Sequence, residues 1–150
     1  MQEQVMVMTR GFRNVTRFGE TVGFELLVRV PYYRGVFLSL VHELILSVDG
    51  REYSPDDIEI EVGGRCFTHA GMMEADDVRW DYGTPATLRA RHAGGLTPGL
   101  HAVKVGMTIR KSYIPPEDPE HLLDFAWREG KYTPFFEPPS VVTRRMTLVQ

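Results

Sequence analysis

The residues of this 150-residue chain able to carry chemistry are five histidines, one cysteine and a run of loop acids. A metal site needs several ligands held in one fixed geometry. His42, His69, His92, His101 and His121 are scattered, with no pair at short spacing and no His-x-His. His42 falls in an apolar row and reads as a hydrogen-bonded core histidine; His101 opens a strand after Pro98-Gly99 and reads as structural. Glu74, Asp76, Asp77 and Asp81 form the richest acidic group, suited to acid–base work or a divalent cation. They lack Ca-loop spacing and read as solvated loop acids. Asp56-Asp57 follows Ser54-Pro55, the pattern of a capped turn. Ser39 has no flanking glycines for a nucleophile elbow. Cys66, beside Arg65, reads as a small buried hydrophobe rather than a thiol of lowered pKa. Pro98 and a missing lysine spoil Gly94-Gly95-Leu96-Thr97-Pro98-Gly99 as a phosphate loop, so it reads as a turn.

One corner is costlier than a turn requires. Pro31-Tyr32-Tyr33-Arg34-Gly35 joins two strands that read as hairpin partners, where Asn-Gly would suffice. Tyr and Arg together are typical of interface anchors. They also stack on sugar rings, and Arg34 has the alternative of pairing with a carboxylate inside the fold. The partner-interface reading is adopted for Tyr32, Tyr33, Arg34 and Gly35.

The elements that must position these residues follow a period of two. Val22, Phe24, Leu26, Val28 and Val30 form one face of a strand from Glu20 to Val30. Leu38, Leu40, His42, Leu44, Leu46 and Val48 make a second such row from Phe37 to Val48. Ile58, Ile60 and Val62 alternate with acids, Leu88 and Ala90 with Thr87, Arg89 and Arg91. Further strands are expected through Val103 to Arg110 and Val141 to Val149, with a weaker first one at Val5, Val7 and Thr9. Asp49-Gly50 and Gly63-Gly64 sit where two-residue hairpins need positive φ. Short strands and tight turns imply antiparallel pairing in an all-β, two-sheet sandwich, jelly-roll-like, over residues 1–150. Met72 to Gly83 reads as an acidic loop. The stretch 114–139 holds Pro115, Pro116, Pro119, Pro134, Pro138 and Pro139, so it cannot be a central strand. Its Leu122, Phe125, Trp127, Tyr132, Phe135 and Phe136 make it too apolar for disorder.

Seventeen basic against 20 acidic residues give a net charge of −3, which argues against nucleic-acid binding. A single cysteine excludes a disulfide framework within the chain and fits a reducing compartment. No run approaches the roughly 18 apolar residues of a membrane span. Met1-Gln2-Glu3-Gln4 carries no basic stretch, so no secretion signal is expected and the chain is placed in the cytoplasm.

In order along the chain, the Tyr32-Tyr33-Arg34-Gly35 corner with Leu38-Ser39, Val48-Asp49-Gly50, Arg79-Trp80-Asp81, Gly94-Gly95-Leu96, Gly99-Leu100-His101 and Ser112-Tyr113 resembles the small (beta) subunit of bacterial C-glycoside deglycosidases. The resemblance implies a bacterial two-subunit lyase. Its large (alpha) subunit is a TIM barrel resembling sugar-phosphate isomerases and epimerases, which holds a divalent metal, manganese or magnesium. The substrate is a C-glycoside already oxidised to the 3-oxo form, which acidifies the C2 proton. A base removes that proton, the metal stabilises the enolate, and the aglycone leaves C1 by elimination. The small subunit is then a non-catalytic sandwich that binds and supports the large one. Two alternatives are carried with it. One is a stand-alone carbohydrate-binding sandwich using Trp80, Trp127 and Tyr132 as exposed stacking platforms. The other is a small metal enzyme in which His42, His92 or His101 converge with loop acids.

Overall fold

A computed structural model describes residues 6–31, 35–110 and 140–148. The described chain is built of antiparallel sheets, as the period of two implies. The five-stranded sheet runs β1 (Arg13–Arg17), β2 (Glu20–Val28), β9 (Ala86–Arg91), β6 (Ile58–Val62), β7 (Arg65–Thr68). The four-stranded sheet runs β11 (Ser140–Leu148), β10 (Gly99–Ile109), β4 (Val41–Val48), β5 (Arg51–Glu52). A two-residue ladder, β3 (Val36–Phe37) with β8 (Arg79–Trp80), lies at one end.

Alternation explains the core. Phe24, Leu26 and Val28 of β2, Leu88 of β9 and Ile58 and Ile60 of β6 point inward from one sheet. Leu44, Leu46 and Val48 of β4 meet them with Val103, Val105 and Met107 of β10. Each such side chain contributes about 1.5–3 kcal/mol on burial. Gly23 is forced by a close approach, since a Cβ there would lie 2.0 Å from the Ala90 carbonyl oxygen.

Several expectations are corrected. The strands flanking the Pro31–Gly35 corner are not hairpin partners: β2 and β4 belong to different sheets. The row from Phe37 to Val48 is not one strand, because Leu38–Leu40 form a 3₁₀ turn that carries Ser39. His42 is exposed, not a core histidine. The β4–β10 register runs Glu43 opposite Thr108 and Val41 opposite Ile109, so His42 is the extra residue of a bulge and the alternation slips there. The acidic loop opens on the last two residues of a short helix, α1 (His69–Met73), and contains β8. Of the weak first strand, Val5 lies outside the described residues and Val7 makes a bridge to Val28, while β1 went unrecognised. The Ser54-capped turn, the Asp49-Gly50 and Gly63-Gly64 hairpins and the Gly94–Gly99 break appear as expected.

Candidate functional site

The structure gathers two of the sequence segments singled out above. Val36 pairs with Trp80 and Phe37 with Arg79. Beyond the ladder, Leu38 N donates to Val78 O at 2.7 Å and Ser39 N to Ala75 O at 3.2 Å. Gly35 lies against the backbone of the next residues: a Cβ would come 2.9 Å from Trp80 O and 3.1 Å from Asp81 Cα. Any side chain at that position would push the two segments apart. Tyr32, Tyr33 and Arg34 lie outside the described residues, as does 114–139. The chain on either side of 114–139 meets this same end, with Arg110 N donating to Leu40 O and Ser140 registered against Met107.

Trp80 anchors the edge. It is fully buried, and its indole N–H donates to Thr84 O at 2.9 Å. Trp80 is therefore not the exposed sugar platform of the carbohydrate-binding alternative; Trp127 and Tyr132 lie outside the described residues. Thr68 Oγ1 caps α1 by accepting from Gly71 N at 3.0 Å, and buried Met72 fixes the helix to the core. What these anchors leave outside is apolar: Phe37 is 42% exposed, Met73 40% and Tyr82 58%. The Arg79 guanidinium sits 5.8 Å from the Phe37 ring centroid and its Nε donates to Asp81 Oδ1 at 3.1 Å. These exposed apolar side chains share the segment with Arg79 and with the exposed acids Glu74, Asp76, Asp77 and Asp81.

Two of the histidines sit at the opposite end and are committed there. His101 is buried, with Nδ1 2.6 Å from Asp49 Oδ2 and Nε2 2.6 Å from Thr97 O. The Thr97 carbonyl and the Asp49 carboxylate both accept from the ring, which raises its pKa. The hydrogen bond from His101 lowers that of Asp49, helped by the Ala102 amide at 2.8 Å. Tyr53 OH lies 2.7 Å from His92 Nδ1, and burial drives the His92 pKa down and the Tyr53 pKa up. Phe24 and Phe12 pack edge-on against these rings. His101 has neither ring nitrogen available to a metal, and His92 uses Nδ1. No three His, Cys, Asp or Glu come together to hold a metal ion among the described residues.

The outer face of the five-stranded sheet carries a charge lattice. Buried Glu25 accepts from Arg13 at 2.8 Å and Arg89 at 3.0 Å, and Arg89 reaches Glu61 at 3.0 Å. Cys66 is exposed here rather than buried, with Sγ 3.3 Å from Glu61 Oε1. Partial desolvation and that carboxylate raise its pKa, so it is no activated thiol.

Phe37 and Tyr82 were missed as site residues by sequence reasoning. Phe37 stood in a mixed row and Tyr82 among acids; their nearness to the glycine of the corner was the available signal.

The chain matches the family described as C-glycoside deglycosidase beta subunit over residues 2–113. It is 38% identical over 117 residues to a protein of Eubacterium cellulosolvens named C-glycoside deglycosidase beta subunit, spanning 77% of this chain and 79% of that one. It is 32% identical over 94 residues to a 3'-dehydrocarminate deglycosidase beta subunit of a Microbacterium species, spanning 62% of this chain and 70% of that one. No helix among the described residues is long and apolar enough to cross a membrane.

Proposed function

This chain belongs to the C-glycoside deglycosidase beta subunit family, and from that premise we propose that it is the non-catalytic subunit of a cytoplasmic two-subunit lyase. Its partner is a TIM-barrel alpha subunit, and Phe37, Met73 and Tyr82, together with Tyr32, Tyr33, Arg34 and Gly35, dock against it. The observation that carries the reading is an apolar edge built on a buried tryptophan and facing outward.

The complex acts on 3-oxo-C-glycosides, cleaving the C–C glycosidic bond by elimination. A manganese or magnesium ion belongs in this reading to the alpha subunit, where it supplies stabilisation of an enolate. This chain contributes shape: buried Trp80 and Met72 hold Phe37, Met73 and Tyr82 in place, so that docking orders both surfaces at little entropic cost.

The test is reconstitution. The purified chain, the alpha subunit and their mixture are each incubated with a 3-oxo-C-glycoside, and released aglycone is measured. The expected result is release by the mixture and none by this chain alone. Release by this chain alone ends the reading.

A further inference from the structure

Phe18 is the residue that the fold explains least. Arg17 pairs with Glu20, so Phe18 and Gly19 form a two-residue turn, with φ of 52° and 80°. Both values lie in the left-handed region, where Asn-Gly or Asp-Gly is the usual pair. A bulky side chain at that first position costs about 1–2 kcal/mol. The ring recovers nothing within the chain, since its relative exposure is 105%. Strain without internal compensation points to a contact outside the chain.

A groove of about 330 Å³ lies next to this tip on the outer face of the five-stranded sheet. Its floor is Gly23, whose missing side chain is imposed by the Ala90 carbonyl 2.0 Å from a would-be Cβ. Val15 and Val22 give it an apolar wall, Arg17 lies on the side of the tip, Arg89 and Arg91 line it with Glu59, and Asp56 and Asp57 line it as well. A cavity of about 150 Å³ already admits benzene, so a phenyl ring fits.

We propose that Phe18 is the anchor of a two-fold contact between two copies of this chain, each ring seated in the Gly23 groove of the other. Tip and groove adjoin on one surface, as an isologous contact requires. In this proposal Arg17 of each copy, which reaches Glu59 of its own chain at 3.8 Å, meets Asp57 of its mate. The tip is at the end of the sandwich away from the Phe37–Tyr82 edge, so this contact leaves that edge open. It needs no other subunit and stands or falls separately from the docking reading.

Sedimentation velocity of the full 150-residue chain, from about 1 to about 200 µM, tests it. The wild-type mass is expected to climb toward twice the 17.1 kDa of the chain. Phe18→Asn, which suits the turn, is expected to remain monomeric throughout while melting no lower than wild type. Arg17→Asp and Asp57→Arg are each expected to weaken association at least ten-fold alone, and to associate when mixed, because both contacts of the mixed dimer then join opposite charges. A wild-type chain monomeric over the whole range, a Phe18→Asn chain that associates as wild type does, or a charge-swapped mixture that stays apart overturns the proposal. So does Phe18 protected only in the presence of the alpha subunit, which would assign the tip to that partner.

Discussion

The two ends of the sandwich use their side chains in opposite ways. At the end holding Asp49, His92 and His101, polar groups are satisfied by one another: His101 bridges Asp49 and Thr97, Tyr53 meets His92, and Asn14 clasps Leu96 through both its amide atoms at 2.9 Å. At the other end, Trp80 and Met72 are buried so that Phe37, Met73 and Tyr82 stand outside. The two histidines of the first end are thus structural, while the second end sets Phe37, Met73 and Tyr82 outside beside the exposed acids Glu74, Asp76, Asp77 and Asp81. The hairpin turns repeat the contrast at small scale. Asp49-Gly50 and Phe18-Gly19 share a left-handed backbone, with φ of 51° and 85° in the first and 52° and 80° in the second. Asp49 uses it to accept from His101 and the Ala102 amide, whereas Phe18 uses it to hold a ring in solvent.

The contrast breaks most severely if the footing of the outward end is removed. Trp80→Ala leaves a cavity and an unpaired Thr84 carbonyl, and is expected to cost about 3–5 kcal/mol in urea unfolding. A loss under about 1 kcal/mol would mean that the β3–β8 edge stands without its tryptophan.

The inward end is probed through its pH dependence. His101 has a folded pKa above its ordinary 6.5, so its contribution is fully present below pH 6.5 and fades as pH rises through the raised value. Asp49 is held below its ordinary 3.8, so its contribution is present above 3.8 and fades as pH falls through the lowered value. The pair therefore stabilises most between those limits. Asp49→Asn keeps a turn-competent residue and removes the charge. Because Asp49 is 53% exposed, solvent screening limits the expected cost to about 0.5–1 kcal/mol near pH 6. The gap from wild type in thermal melts should narrow toward pH 9. A gap that widens with pH would contradict an imidazolium at this position.

Phe18→Asn sharpens the hairpin comparison with a smaller effect of opposite sign. Relieving the strained position should raise stability by up to about 1 kcal/mol, read in the same melts; a loss would show that the ring supports the fold.

Tyr82→Ser should change the stability of the isolated chain least, within about 0.5 kcal/mol. A large drop in the urea midpoint would make Tyr82 part of the core's support rather than a docking residue.

Much of the inward architecture was legible because alternation reports burial directly. β2, β6, β9 and β10 each keep one apolar face, and Gly-Gly turns follow β6 and β9. β1 was invisible because Arg13-Asn14-Val15-Thr16-Arg17, an edge strand, has no apolar alternation. His42 misled because a bulge moves side chains between faces without leaving a trace in residue type. The core histidine is His101, whose partners Asp49 and Thr97 only the turns bring near. At the outward end, glycine and tryptophan near the site were recognised, but not that they pack together. A two-residue ladder is too short for periodicity to show. Family membership, by contrast, was readable from ordered short motifs that straddle both ends.

That the partner sits on the outward edge is tested most directly by the affinity of this chain for the alpha subunit by calorimetry, wild type against Phe37→Asp/Tyr82→Asp. If the edge is the docking surface, the doubly substituted chain folds with wild-type circular dichroism and binds at least about 30-fold more weakly, as loss of a hot spot worth about 2 kcal/mol requires. Unchanged affinity in a folded double variant would place the interface elsewhere and contradict the account.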